Sequence, residues 1–289
     1  VPESKLEIFE GILCPGFVNA HCHLELSHLK GVADKGKGFL DFLRTVQQRN
    51  NFCKDRILEA IKQTEQQMIQ NGIVGVGDIC NTSDTLNQKQ KLNLEYYNFI
   101  EVFGVDNSKS AETISAAKSL RGKFRKNGMS ATISPHAPFS VPPILMKEIG
   151  VLCDNNDRIM TIHNQETEEE NELFENKSGA FFNWLKNINA SSDIWEKRNS
   201  SSDIIKELNF NKILFVHNTF ASKEDISENY YCTCPTANLY IENCLPDYSI
   251  FNAEKLCVGT DSLASNDSLS ILQELKIIQE NSNFDLDTL

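Results

Sequence analysis

Basic residues are in short supply in this chain of 289 residues: 28 Lys and Arg stand against 40 Asp and Glu, giving a net charge of −12 and a pI near 5.0. Nucleic acids and anionic membranes are held by clustered Lys and Arg, so the charge balance argues against both as partners and for a small-molecule substrate. No apolar run approaches the roughly 18 residues that span a bilayer, and no charged-then-apolar leader opens the chain, so a cytoplasmic protein is expected. The nine cysteines lack disulfide-rich spacing, and an odd number in a chain of this length reads as reduced thiols. No internal repeat or low-complexity tract occurs. The one strong charge run is the acidic stretch from Glu166 to Glu175. The chain begins at Val1 and its last helix-like segment stops at Leu289, so truncation at both ends is expected.

Histidine is scarce too, with six in all, which makes its placement informative. His21 and His23 alternate at the end of the apolar run from Ile12 to Ala20. In a strand, residues two apart point to one side, so both rings can reach a single ion while Cys22 turns away into packing. His136, His163 and His217 likewise end or follow short strand-like segments, Ala131 to Pro135, Ile159 to Ile162 and Ile213 to Val216. Asp261 ends Leu256 to Thr260 in the same manner.

Strands are expected at Val74 to Ile79, Tyr97 to Val102, Thr132 to His136, Met160 to His163, Leu214 to His217, Tyr231 to Cys234 and Cys257 to Asp261, together with the strand before His21. Helical patterns separate them. Ile57, Ile61, Thr64 and Met68 share one face, and Asn71-Gly72 follows as a stop signal. Further helices are expected at Ala111 to Lys126, Pro143 to Asp154 and Leu269 to Glu280. Eight strands, each followed by a helix or a long loop, suit an α/β fold of the (β/α)8 TIM-barrel type spanning residues 1–289 as one domain. An open doubly wound sheet would gather polar residues at one switch point rather than at many strand ends.

In a barrel, side chains at separate strand ends converge at the carboxyl-terminal mouth. Imidazoles and a carboxylate there suit one divalent metal ion, Zn²⁺ first, with Fe²⁺ or Mn²⁺ compatible with the same donors. Glu166 lies three residues past His163 and before a helix that Thr167 and Glu170 would open as a capping box. From that position it can act as general acid/base, giving a proton to a substrate ring nitrogen as metal-bound hydroxide adds to carbon. Most of Glu168, Glu169, Glu170 and Glu172 read instead as a solvated face. Glu25, just behind the paired histidines, could orient substrate, whereas His28 between Leu26 and Leu29 reads as packing. Cys232 and Cys234 on one strand face, with no second pair nearby, also read as packing. Asp261 has a competing use as a helix cap.

Pro15-Gly16-Phe17-Val18-Asn19-Ala20-His21-Cys22-His23, followed by His136 after Ser134-Pro135, His163 with Glu166, His217, and Gly259-Thr260-Asp261, resembles the amidohydrolase superfamily, and within it the mononuclear deaminase and chlorohydrolase branch. His23-Leu24-Glu25-Leu26-Ser27 is similar to the aminodeoxyfutalosine deaminases, and S-adenosylhomocysteine deaminases belong to the same branch. Cys234-Pro235-Thr236-Ala237-Asn238 resembles the family's Cys-Pro-x-Ser-Asn segment, with Ala237 where Ser is usual. The resemblance implies His21, His23, His163 and Asp261 as metal ligands and His217 as a catalytic residue that hydrogen-bonds the hydroxide or the forming oxyanion. It also implies that Asp261 accepts a proton and that His136 contacts substrate. Binuclear members carry a carboxylated lysine near the end of strand four, and Thr132 to His136 contains none, so a single metal is implied. The family's small β-sandwich is largely missing from this chain.

The expected reaction is hydrolytic deamination of a heteroaromatic amine, a purine-like base or nucleoside, with release of ammonia. Related dechlorination, C–N or amide hydrolysis, and a non-catalytic binding barrel are the alternatives. Between His163 and His217, Phe174, Phe181, Phe182, Trp184 and Trp195 could form a lid over an aromatic substrate or pack in the core. A homodimer is the default assembly.

Overall fold

A computed structural model describes residues 10–152, 159–188, 190, 195–208, 210 and 212–285. Among these residues, eight parallel strands alternate with helices: β1 (Phe17–Cys22), β2 (Ile73–Cys80), β3 (Glu95–Val102), β4 (Ser130–Pro135), β5 (Met160–Asn164), β6 (Ile213–His217), β7 (Tyr230–Thr233) and β8 (Leu256–Val258). They pair in sequence order within two four-stranded halves, β1 to β4 and β5 to β8. The halves join edge to edge. At one seam His163 N donates to His136 O at 2.8 Å, and at the other Thr260 N and Asp261 N both donate to His21 O at 3.1 Å beside a Cys22–Asp261 bridge. The result is a closed (β/α)8 barrel whose two seams are fastened by the histidine-bearing strand ends.

Among the described residues the α-helices are α1 (Phe39–Val46), α2 (Lys54–Gln70), α3 (Leu86–Lys89), α4 (Ser110–Lys126), α5 (Pro143–Val151), α6 (Glu168–Asn176), α7 (Gly179–Asn187), α8 (Pro235–Ile241) and α9 (Ile271–Asn281). On α2, Ile57, Ile61, Thr64 and Met68 are buried, as their spacing requires. That helix ends at Asn71, and Gly72 takes φ +77°, a conformation that disfavours a side chain. The largest buried cluster joins β3 to β6 with α4 to α7, through residues such as Ile100, Ile133, Ile162 and Phe215 against Phe124, Met146, Phe174 and Phe181. A second cluster joins β1 and β2 to α2 and α9.

Most boundaries shift by one or two residues from the sequence reading, and three differences are larger or bear on the site. β1 begins at Phe17, where pairing with Ile73 starts; Ile12 and Leu13 are 95% and 99% exposed, since apolar character alone supplies no partner strand. β8 ends at Val258, and the chain then turns so that Asp261 sits at φ +55°. The helix expected over Pro143 to Asp154 runs to Val151, and residues 153–158 lie outside the described ones. No described helix is long and apolar enough to cross a membrane.

Candidate active site

His21 is the last inward-facing residue of β1 and is fully buried. His23 follows just past the strand, at φ −116° and ψ 76°, before a 3₁₀ turn over Leu24–Leu29. Its Nε2 lies 3.2 Å from His21 Nε2 and 3.1 Å from His163 Nε2. Asp261 Oδ1 closes the group at 3.6 Å from His21 Nε2 and 3.4 Å from His23 Nε2. Its other oxygen, Oδ2, accepts from Ser265 Oγ.

The proton positions follow from the outer nitrogens. His163 Nδ1 donates to His136 O at 2.9 Å, and a neutral imidazole carries one N–H, so His163 Nε2 presents a lone pair. His217 Nδ1 donates to Asn238 Oδ1 at 2.8 Å with the same consequence. Burial lowers the pKa of His23 to about 3, takes His163 well below its ordinary value, and lowers His217 and His136 to about 4. Burial opposes ionisation of Asp261, but His21, His23 and His217 together hold it well below the usual carboxylate range. The Nε2 lone pairs of His163 and His217 are thus turned into the same nest as the Asp261 carboxylate, and metal ligands bind in this deprotonated form. The donor set therefore fits a divalent metal ion. Among the described residues, the groups placed to hold one are His21 with His23 and His163, His21 with His217 and Asp261, and Glu101 with His136 and His163. The third is compromised, because His163 Nδ1 is already committed to His136 O.

Glu166 is buried on the same floor, its Oε1 3.6 Å from His217 Nε2. Burial raises its pKa well above the ordinary value, with Asp261 and Glu170 adding to the shift. The floor thus holds two carboxyl groups shifted in opposite directions, Asp261 downward and Glu166 upward. Above it opens a cavity of about 450 Å³, walled by Leu26, Phe39, Phe103, Phe139 and Trp184. Backbone strain collects here: Gln165, His217, Asn218 and Asp261 all have φ between +48° and +70°.

The other expected residues divide. His136 lines the cavity, with Nδ1 2.6 Å from Ser140 Oγ and its ring edge-on to Phe139. Glu25 does not line it. Its carboxylate accepts from Asn81 N, Thr82 N and Thr82 Oγ1 at 3.0–3.2 Å, so it fastens the loop after β2 to the turn behind His23. His28 packs edge-on to Phe52 with Nε2 3.0 Å from Arg49 O. Cys232 and Cys234 are buried and take part in none of the metal-capable groups. Of the five aromatics expected as a lid or as core, Trp184 lines the cavity, while Phe174, Phe181 and Trp195 are core residues and Phe182 packs against that core. Trp195 Nε1 donates to Pro138 O at 3.0 Å.

Two corrections concern α6. It starts where expected, at Glu168 after Thr167, but Thr167 Oγ1 donates to Glu169 rather than closing a box with Glu170. Glu170 is fully buried instead of solvated, because its side of α6 faces the core with Leu173 and Phe174.

Residues the sequence reading passed over include Glu101, Asn238 and Arg49. Glu101 ends β3 as His163 ends β5, and could have been found by the same strand-end rule. Its Oε2 accepts from Asn81 Nδ2 at 2.9 Å, and burial lifts its pKa to about 7. Asn238 lay within a recognised segment without a role. Arg49 comes from an irregular turn after α1, which carries no sequence signal, and lies over the Phe103 ring in the cavity wall.

The sequence model of the amidohydrolase family matches residues 12–288. The chain is 28% identical to an adenosine deaminase of Helicobacter pylori over 291 residues, covering 95% of this chain and 70% of that protein. The crystal structure of Helicobacter pylori aminofutalosine deaminase in complex with methylthio-coformycin superposes with a TM-score of 0.83 at 27% identity, over 94% of this chain and 69% of that one. An adenosine deaminase from Xanthomonas campestris with bound zinc shares the fold, with a TM-score of 0.73 at 18% identity, over 93% of this chain and 60% of that one.

Proposed function

The chain belongs to the amidohydrolase family, and from that premise we propose that it hydrolyses the exocyclic amine of a purine-like base or nucleoside, releasing ammonia. One observation carries the reading: His21, His23 and His163 bring ring nitrogens together, Asp261 Oδ1 lies 3.6 Å and 3.4 Å from Nε2 of His21 and His23, and Glu166 is buried on the same floor. His21, His23, His163 and Asp261 would hold one divalent ion, zinc before iron or manganese. Such an ion lowers the pKa of a water molecule towards neutrality and polarises it for attack.

The chain's own groups move the protons. Glu166 enters the reaction protonated and donates to the ring nitrogen next to the amine-bearing carbon, which makes that carbon electrophilic. His217, with its proton fixed on Nδ1 by Asn238, presents a lone pair at Nε2 that accepts a hydrogen from the attacking water and orients it. Asp261 is the ionised carboxylate on the floor and takes the water's proton. The C–N bond then breaks, the amine leaves as ammonia with the proton that Asp261 collected, and the carbon keeps the water oxygen. The ring nitrogen retains the proton from Glu166, and the second hydrogen of the water leaves the oxygen as the carbonyl forms and returns to the Glu166 carboxylate. His136 and the aromatic wall hold the flat base.

The test is ammonia release from a panel of aminopurines, aminopyrimidines, pterins, triazines and adenosine-type nucleosides, using metal-loaded protein. Release from a purine-like member, reduced about 10²- to 10⁴-fold by Glu166→Gln, is expected. Chloride or an organic amine as product would replace deamination with the related hydrolytic reactions.

A further inference from the structure

His23 differs from His163 and His217 in how its ring is aimed. Each of those two is held through its second nitrogen, by His136 O and Asn238 Oδ1. Among the described residues no hydrogen bond holds His23 Nδ1, and the residue lies beyond the last paired position of β1. Its direction is therefore set by the backbone that follows it. That backbone is held beside the ring by Leu24 N, which donates to Asp78 Oδ1 at 2.8 Å, and further along by Leu26 N donating to His23 O at 3.0 Å, Ser27 Oγ donating to Leu24 O at 2.6 Å and the Glu25 carboxylate accepting from Asn81 N and Thr82 N.

Asp78 lies on β2 opposite Cys22, with Asn98 of β3 as its neighbour on the other side. Its second oxygen accepts from Lys89 Nζ at 2.5 Å, and both side chains are completely buried. Lys89 comes from the last turn of α3. It also donates to Asn98 Oδ1 at 2.7 Å, and its ammonium lies 4.8 Å from the Tyr96 ring centroid and 5.3 Å from that of Phe124. Asn98 in turn donates to Ser130 O of β4 at 2.9 Å. A buried ion pair of this kind adds little to stability compared with apolar packing of the same shape, which raises the question of what else it fixes. The chain of contacts Ser130, Asn98, Lys89, Asp78, Leu24 runs from β4 to the peptide next to His23 and ends there.

We propose that Asp78, held by Lys89, is a positioning residue for the metal centre: through the Leu24 N–H it fixes the turn that aims His23 Nε2 at His21 and His163. The proposal rests on the reading of His23 as a metal ligand. It concerns an outer hydrogen bond made to backbone rather than to the imidazole, the more usual arrangement for metal-ligating histidines.

Two double variants of the full chain separate positioning from stability. Both remove the buried charges. Asp78→Asn with Lys89→Met keeps an amide oxygen for Leu24 N–H, whereas Asp78→Leu with Lys89→Met removes the acceptor. Zinc dissociation constants are measured on metal-stripped protein by chelator competition, the visible spectrum is recorded after cobalt(II) substitution, and melting of each metal-free protein is followed. The Asn variant should bind zinc within about threefold of the parent and keep its cobalt spectrum, while the Leu variant should lose about 10- to 100-fold in zinc affinity with an altered spectrum. Equal zinc affinity in the two, whatever their melting temperatures, overturns the proposal. So does a tenfold loss already present in the Asn variant. If the Leu variant does not fold, Asp78→Ser with Lys89→Met, whose short side chain falls away from Leu24 N, takes its place under the same criteria. Failure of the parent protein to bind zinc would instead overturn the metal reading itself.

Discussion

Asn238 Oδ1 lies 2.8 Å from His217 Nδ1, and this one hydrogen bond decides which face of the imidazole carries the proton. Because Nδ1 is the donor, Nε2 is left with a lone pair directed to the floor of the cavity, 3.6 Å from Glu166. Replacing Asn238 with Leu frees the tautomer and ring angle without touching substrate. The expected result is a kcat reduced about 10- to 100-fold with little change in KM, checked by steady-state kinetics.

Removing the metal should destabilise the folded protein, because the ligand nest is assembled only in the native state. Zinc at about 100 times its dissociation constant adds about 2.7 kcal/mol. Dialysis against chelator should lower the melting temperature, and zinc should restore it. In His163→Ala that difference should shrink strongly, as measured by thermal melts with and without zinc.

Glu170 supplies a pH signature outside the reacting groups. Burial pushes its pKa up to about 7 from an ordinary value of 4.5. Between those two values the folded chain keeps a proton that the unfolded chain has lost, so the residue's cost is absent below pH 4.5, grows as pH rises and is constant above pH 7. Glu170→Gln should therefore stabilise the metal-free protein by about 1–3 kcal/mol at pH 8 and have almost no effect at pH 4.5. Urea unfolding at the two pH values checks it.

The chain has two tryptophans in different settings, Trp184 in the cavity wall and Trp195 in the core. An aromatic ligand in the cavity should change the emission of Trp184 alone. Trp184→Phe should abolish the ligand-induced change and raise KM several-fold, whereas Trp195→Phe should keep the fluorescence response and lose stability through the hydrogen bond to Pro138 O. Fluorescence titration of both variants distinguishes the two roles.

Much of the site was legible because parallel strands put chemistry at one end. A histidine or aspartate closing an apolar segment, as His163 closes β5, needs only strand recognition to be placed at the mouth. The eight strands were recoverable for the same reason, since most are short, buried and apolar. What could not be read were competing hydrogen bonds. Glu25 sits beside His23 in sequence, yet the Asn81 and Thr82 backbone groups that claim it lie more than fifty residues away and reach it only through barrel closure. Glu170 looked solvated because its neighbours are acidic, and only the direction in which α6 packs shows that it faces inward. The edge of β1 was misjudged at Ile12 and Leu13, where apolar character had no partner strand to act on.

Hydrolytic deamination requires that solvent oxygen replace the amine on one carbon. The most direct measurement is turnover of an adenosine-type nucleoside by zinc-loaded protein in ¹⁸O-labelled water, with ammonia and product mass followed together. One ammonia and one ¹⁸O per product, both lost in Glu166→Gln, are predicted. Metal-loaded protein that releases no ammonia from any purine-like amine, or releases it without taking up the label, would contradict the account.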